Sequence, residues 1–571
     1  MTTSHLTARL RPFAAGLALA LAGCASAPPA PSAAPQTGIR VDVPAIRRPG
    51  GETPAWWYRD GAAQAAERGA MAGRAKNVIV FLGDGMSLPT VAAARILEGQ
   101  RQGGSGEEHR LAWEDFPATA LAKTYNTDAQ TPDSAGTMTA ITTGVKSHMG
   151  AIGVHAGDKD DCADSLGKHA QTWLELADAA GMAAGIVTTA RITHATPAAT
   201  YAHVPNRNWE NDAALPARAV AEGCKDIARQ LVEATRAGRG PSIVLGGGRK
   251  EFLTTAQADP QQSDKRGLRR DGQDLVAAWR QAHPQGAYVT DGAGLAAAAG
   301  APSVLGLFNY DHMQYDHDRI AAGAVEPSLA EMTRAAIAHL SRSDEGYVLM
   351  VEGARIDMAH HEGNAFRALD ETIAFSDAVR AAMDATSTDD TLILVTADHA
   401  HTLNFVGYPA RGNPILGKVR GSSSFDGTQG NLALGLDGKP YTTLSYANGP
   451  GNTGTTDAQP AGNKRYPHRP RKQEAPAQGR PDLTDVDTTD PDYLQEALVP
   501  LSAESHGGDD VGIWARGPGS TAVRGTMEQN AIYHIVVQAT PRLRAALCAQ
   551  GLCDANGVPV ELPRLPGGAP E

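Results

Sequence analysis

Between residues 78 and 514 the chain repeats one pattern: a short uninterrupted apolar run, a few polar residues, then a stretch of helical periodicity. The β-type runs are Val78–Leu82, Ala184–Thr188, Ile243–Leu245, Tyr347–Val351, Leu392–Thr396 and Val511–Trp514. Helical spacing of apolar residues appears at Val91–Leu97, Leu329–Leu340 and Phe366–Met383, and residues 54 to 72 also read as a helix. A strand without alternating polar residues must be covered on both faces. Such strands alternating with helices predict an α/β fold: a mostly parallel central sheet with helices on both sides. With 42% hydrophobic and 20% charged residues over 571 positions, the chain can bury a large core, which excludes a mostly disordered protein. Its net charge of −12 argues against nucleic acid as a partner.

Both ends of this pattern carry something else. Arg9 and Arg11 precede an apolar run, Phe13–Ala22, that is too short to span a bilayer. It ends in Leu21-Ala22-Gly23-Cys24, which resembles a lipoprotein signal-peptidase site and would leave Cys24 as a lipidated N-terminus. Residues 1–23 are therefore expected to be an export signal. Residues 24–53, rich in Ala and Pro, are expected to be a tether, and 54–571 the folded domain. Since Ala25 is not Asp, the expected location is the outer membrane of a bacterial envelope, facing the periplasm or the surface. Four further cysteines, Cys162, Cys224, Cys548 and Cys553, suit an oxidising compartment. Cys548 and Cys553 could close a small loop, but sequence leaves all three pairings open. From about 407 to 500 the rhythm stops, and Gly, Pro, Asn, Thr and Asp dominate; this reads as an inserted loop-rich subdomain.

In open α/β sheets, ligands bind beyond the carboxyl ends of the strands. Here four strands run into polar residues of metal-binding type: Asp84 after the first, His194 and Thr196 after the second, Glu352 after the fourth, and Asp398-His399 after the fifth. One such Asp is more often a cap or turn residue. Four converging on one rim are not so explained. Asp357 and His361, at i and i+4, share a helix face with Cβ atoms about 5–6 Å apart, which suits two ligands of one zinc. His360 points away from that face. His506 sits in a Gly-flanked loop, where a solvated imidazole is the plain alternative. Ser134 precedes a helix-like stretch, Thr137–Gly144; it could be an ordinary N-cap, or a nucleophile where helix N–H groups can hold a phosphate.

Phe81-Leu82-Gly83-Asp84-Gly85-Met86, Thr131-Pro132-Asp133-Ser134, Val351-Glu352-Gly353, Asp357 with His361, Thr396-Ala397-Asp398-His399-Ala400-His401 and His506-Gly507-Gly508 together resemble alkaline phosphatase, from about residue 54 to about 553. Tyr125-Asn126-Thr127, His194-Ala195-Thr196-Pro197, Asn206-Arg207-Asn208-Trp209 and Gly246-Gly247-Gly248-Arg249-Lys250 bring it closer to the animal-type branch.

The resemblance implies a metal-dependent phosphate monoester hydrolase that works through a phosphoserine, releases inorganic phosphate at alkaline pH and acts as a homodimer. Asp357, His361 and His506 would hold one zinc, and Asp84, Asp398 and His399 a second. Asp84, Thr196 and Glu352 would hold magnesium. Ser134 would be the nucleophile and Arg207 the phosphate clamp, with Asp133 beside it in substrate binding. His401 and His194 would act from behind the ligands, and Tyr408 would reach a neighbouring subunit. The disulfides implied are Cys162–Cys224 and Cys548–Cys553. Ser87 departs from the family's usual Gly. The calcium site of animal-type enzymes is matched at Phe308 and Glu326, but Asn309 and Gln261 stand where acids are usual, which weakens the case for calcium. The competing readings are a phosphodiesterase or sulfatase of the same superfamily, and a surface lipoprotein that only binds metal or phosphate.

Overall fold

The computed structural model describes residues 38–47, 50–155, 159–236, 240–422, 430–435, 438–452, 464–467, 480–563 and 565. The export signal and Cys24 lie outside them. Residues 38–47, expected to belong to the tether, are packed instead. Ile39, Val41 and Val43 pack with Ala62, Ala63 and Ala66 of helix α1 (Pro54–Glu67) and with Val558 and Val560. Trp56 Nε1 donates to Pro44 O and Arg59 Nε to Asp42 O, both at 2.8 Å. The alternation Ile-x-Val-x-Val buries one face, a signal hidden by the Pro-rich flanks. The folded unit therefore starts by Gly38.

Ten strands form the main sheet: β1 (Asn77–Gly83), β2 (Ala118–Lys123), β3 (Ala183–Arg191), β4 (Ile243–Gly247), β5 (Ala287–Val289), β6 (Val304–Leu307), β7 (Tyr347–Gly353), β8 (Thr391–Thr396), β9 (Val511–Arg516) and β10 (Gly525–Glu528). Their order is β10-β2-β9-β8-β1-β7-β3-β4-β6-β5. All pairings are parallel except those of β9, which runs antiparallel to both neighbours. Every residue of Val78–Gly83, Tyr347–Gly353 and Thr391–Thr396 is buried, so these strands are covered on both faces.

Helices α2 (Leu88–Arg101) and α4 (Leu329–Leu340) each pack on α6 (Ala365–Ala385), and Phe375 of α6 meets Phe81 of β1 edge-on at 5.7 Å. A second group joins α1, α3 (Ser134–Thr143) and α7 (Ala531–Ala539). The expected helix over 54–72 breaks after Glu67, at Gly69, whose φ of 86° no ordinary side chain favours. None of the described helices is long and apolar enough to cross a membrane.

Strand register places the chemistry. Leu82 pairs with both Glu352 and Thr396, and Glu352 pairs with Thr188. Asp84 and Asp398 each follow two residues after this level, so both come out on the same rim as Glu352. The insertion contributes short strands instead: Leu444–Gly449 lies between Leu403–Phe405 and Ala497–Pro500. Disulfides join Cys162 to Cys224 and Cys548 to Cys553.

Candidate metal centre and active site

Asp84 leaves β1 in a tight turn. Gly85 takes φ of 68°, and a Cβ there would collide with the ring of His401, so only glycine lets the turn approach so closely. Gly85 N donates to Asp398 Oδ1 at 3.1 Å. Ser87 then caps α2, accepting from Thr90 N at 3.3 Å, which gives its side chain a structural use. Asp357 and His361 lie on the short helix α5 (Arg355–His361), which follows β7 in sequence and precedes α6. His506 is carried in by a two-residue strand paired with Ala400-His401.

Three imidazoles are oriented alike. His361 Nδ1 bonds Glu504 O at 2.5 Å, His506 Nδ1 bonds Pro132 O at 2.7 Å, and His399 Nδ1 bonds Ala400 O at 3.2 Å. A carbonyl only accepts, so each ring carries a proton on Nδ1, and Nε2 is the nitrogen left to take a second proton or a metal ion. These Nε2 atoms converge on acids. His361 Nε2 and His506 Nε2 lie 3.1 Å apart, each 3.3 Å from Asp357 Oδ1. His399 Nε2 lies 3.3 Å from Asp84 Oδ1 and 3.4 Å from Asp398 Oδ2. Nε2 atoms and carboxylates set this close need positive charge among them, either as protons on the rings or as a metal ion. The donor sets therefore fit metal ions, and the fixed Nδ1 partners are the outer supports such sites use.

A third group joins Asp84, Glu352 and His194, whose candidate ligand atoms lie within 4.8 Å of one another. Glu352 Oε1 and His194 Nδ1 are both buried without a hydrogen-bond partner, while Thr188 Oγ1 holds the other Glu352 oxygen. Thr196 Oγ1 donates to Asp84 Oδ2 at 3.4 Å. Burial, reinforced by Asp398, pushes the Asp84 carboxyl well up; burial raises Asp398 too, and brings Glu352 to about 8. Burial also opposes ionisation of Asp357, but His361, His401 and His506 outweigh it and hold that carboxyl well down. Without cations these acids cannot all ionise together.

Ser134 is not the N-cap of α3. Asp133 is: its Oδ1 accepts from Gly136 N at 3.1 Å, leaving Ser134 as the first helical residue with its hydroxyl free for the rim. Ser134 Oγ lies 3.1 Å from His399 Nε2 and 3.4 Å from Asp84 Oδ1. Asp133 also accepts from Asn126 Nδ2, Gly150 N and Arg207 Nη1, all at 3.1 Å. Arg207 Nη2 donates to His194 Nε2 at 3.2 Å, so the guanidinium is held from two sides. Ser134, Arg207, His194, Asp357, His361 and His506 line one open cavity of about 370 Å³.

His401 is placed as expected, with Nε2 2.7 Å from Asp357 Oδ1, and its Nδ1 bonds Glu504. Glu504, Thr188 and Thr137, whose Oγ1 donates to Asp398 Oδ2 at 3.3 Å, were not singled out by sequence. Only Glu504, two residues before His506, carries a positional signal that could have found it. Glu326 takes donors from Asn309 Nδ2 and, at 2.9 Å, from Gln314 N, so side-chain and backbone amides meet this carboxylate.

A serine hydroxyl at a helix start, a doubly held guanidinium and clusters of Nε2 and carboxylate atoms suited to metal ions share one cavity rim. The comparisons specify the family. The model of the alkaline phosphatase family matches residues 75–541. The chain is 44% identical over 476 residues to the chicken (Gallus gallus) alkaline phosphatase, tissue-nonspecific isozyme, covering 81% of this chain and 84% of that protein. It is 42% identical over 476 residues to the alkaline phosphatase of Gadus morhua, covering 82% and 92%. Among solved structures, the alkaline phosphatase of Thermus thermophilus superposes with a TM-score of 0.57 at 23% identity, over 87% of this chain and 96% of that one. That of the Antarctic bacterium TAB5 gives 0.52 at 21%, over 82% and 98%. The chain belongs to the alkaline phosphatase family, and its fold is that of these structures.

Proposed function

We propose that the protein hydrolyses phosphate monoesters with Ser134 as nucleophile. The observation that carries this is the convergence of imidazole Nε2 atoms and acids around Ser134 Oγ, beside an arginine held by Asp133 and His194. Asp357, His361 and His506 would hold one zinc ion; Asp84, Asp398 and His399 a second; and Asp84, Glu352 and Thr196, with His194 adjoining, a magnesium ion. Bound there, the metals supply Lewis acidity that favours the Ser134 alkoxide and offsets charge on the phosphoryl oxygens. Arg207 offers two N–H donors in a fork to non-bridging oxygens of the ester. Ser134 Oγ bonds to phosphorus as the ester oxygen departs, and water then displaces Ser134 and releases inorganic phosphate. A monoester has more free oxygens for Arg207 than a diester, which favours a monoesterase over a diesterase. Calcium is not part of this proposal, since amides already meet Glu326.

The assembly proposed is a homodimer: Tyr408, 73% exposed, and Leu498, 80% exposed, present apolar surface on the insertion. The proposed location is the bacterial outer membrane, reached through the export signal and lipid on Cys24. Metal analysis of the purified protein, with rates on a chromogenic monoester and the matching diester, tests the activity. Two zinc and one magnesium per chain with a strong monoester preference are expected; a metal-free or diester-selective enzyme contradicts it. Cys24→Ser should move activity from membrane to soluble fractions.

A further inference from the structure

His360 was set apart from the site because its ring points away from the Asp357–His361 face. It is nonetheless completely buried, and both ring nitrogens are engaged. Nε2 lies 3.0 Å from Thr90 Oγ1, and Nδ1 lies 2.8 Å from the Tyr446 hydroxyl. Thr90 Oγ1 continues to Ser87 Oγ at 2.8 Å. Either direction satisfies the ring: Tyr446 O–H can donate to Nδ1 and Nε2–H to Thr90, or Thr90 can donate to Nε2 and Nδ1–H to Tyr446, so both His360 nitrogens are held.

These four residues come from three parts of the molecule. Ser87 and Thr90 start α2, directly after the turn that carries Asp84. His360 sits on α5, between Asp357 and His361. Tyr446 belongs to the central strand of the insertion's sheet, paired with Leu403 and Ala497. The His360 ring also lies against the face of His401, centroids 4.8 Å apart at an interplanar angle of 29°. His401 in turn bonds Asp357 Oδ1 at 2.7 Å and is held by Glu504.

We propose that Thr90, His360 and Tyr446 form a buried strut that couples the insertion to the metal centre: it fixes α5 against the Asp84 turn and backs His401, so that Asp357 meets its metal in one orientation. They are positioning residues, since none of the three touches the reacting atoms. The strut rests on the reading that Asp357, His361 and His506 bind a metal ion. Partners bonded directly to a ligand change metal affinity about 10–100-fold when lost, and the strut acts one step further back, so the low end of that range is expected. The rival account is that His360 is a satisfied core histidine whose loss costs stability alone.

Tyr446→Phe removes one oxygen and keeps the ring, and Thr90→Val removes the opposite hydroxyl. Tyr493→Phe alters another buried tyrosine of the insertion, outside the strut. Zn(II) affinity is read on full-length protein by competition with a chromogenic chelator, and the visible spectrum of the Co(II)-loaded protein reports ligand geometry. Tyr446→Phe and Thr90→Val should each bind the weakest-held Zn(II) about 10-fold less tightly, with an altered Co(II) spectrum, while Tyr493→Phe matches wild type. If one strut variant fails to fold, the other carries the test. Unchanged Zn(II) affinity and Co(II) spectrum in a folded strut variant would overturn the strut alone. Wild-type protein that holds no Zn(II) would overturn the metal reading and the strut with it.

Discussion

The strand-end rim and the insertion are built on opposite principles. At the rim, Asp84, Glu352 and Asp398 sit at the ends of fully buried parallel strands, and the register Leu82–Glu352–Thr188 brings different strands level to within a residue. The insertion relies on short strands and on side chains that bond to backbone. Lys418 Nζ alone donates to the carbonyls of Leu483 and Val486 at 2.8 Å and of Thr484 at 3.0 Å. It also leaves large apolar residues in water, Leu498 at 80% and Tyr408 at 73% exposure. Chemistry that needs sub-ångström placement sits where the register is rigid. The looser region offers surface.

If that division holds, damage to the rim is catastrophic and damage to the insertion's surface is graded. Asp398→Ala should lower kcat/KM by about 10³-fold and remove metal, because it deletes an acid that also holds the Asp84 turn through Gly85 N. Metal content per chain and steady-state rates check this. A variant that keeps full metal and loses less than tenfold would break the contrast. Tyr408→Ala should leave metal content intact and weaken the proposed dimer by about 10-fold, seen by sedimentation at nanomolar concentration. A fully dimeric variant with unchanged rates would make Tyr408 an idle surface residue.

A smaller effect probes the core beneath the rim. Glu371 on α6 is buried, and burial, opposed by the N–H donated from Asp316, brings its carboxyl to about 8 from the ordinary 4.5. The folded state therefore keeps a proton that the unfolded state releases between about pH 4.5 and 8, and stability at this site falls as pH rises through that window. Glu371→Gln cannot ionise, so its melting temperature should nearly match wild type near pH 5 and exceed it by roughly 4 °C at pH 9. Equal melting temperatures at both pH values would show that Glu371 titrates normally.

Much of the rim was legible in the sequence, because continuous apolar runs mark buried strands and the residues just beyond them have few other duties. Asp84, Glu352, Asp398 and His399 stand out in this way, and i, i+4 spacing adds Asp357 and His361. What stayed hidden depends on tertiary contact. The strand Ala118–Lys123 carries only small and polar residues around Leu121, and Ala287–Val289, Val304–Leu307 and Gly525–Glu528 are too short for periodicity to speak. Glu504 reaches His401 through a hairpin of loops, and no sequence spacing reports that. His360 was assigned correctly to the other face of α5, but only the packed structure shows that this face meets Thr90 and Tyr446. The early start of the fold at Gly38 was masked by prolines on either side of three alternating apolar residues.

The central claim is that Ser134 itself takes up the phosphoryl group. Acid-quench of the enzyme with a radiolabelled monoester measures this directly. Wild-type protein should carry close to one label per active site, bound to Ser134, and Ser134→Ala should retain its metals yet carry none. Label on the alanine variant at the wild-type stoichiometry would contradict the account.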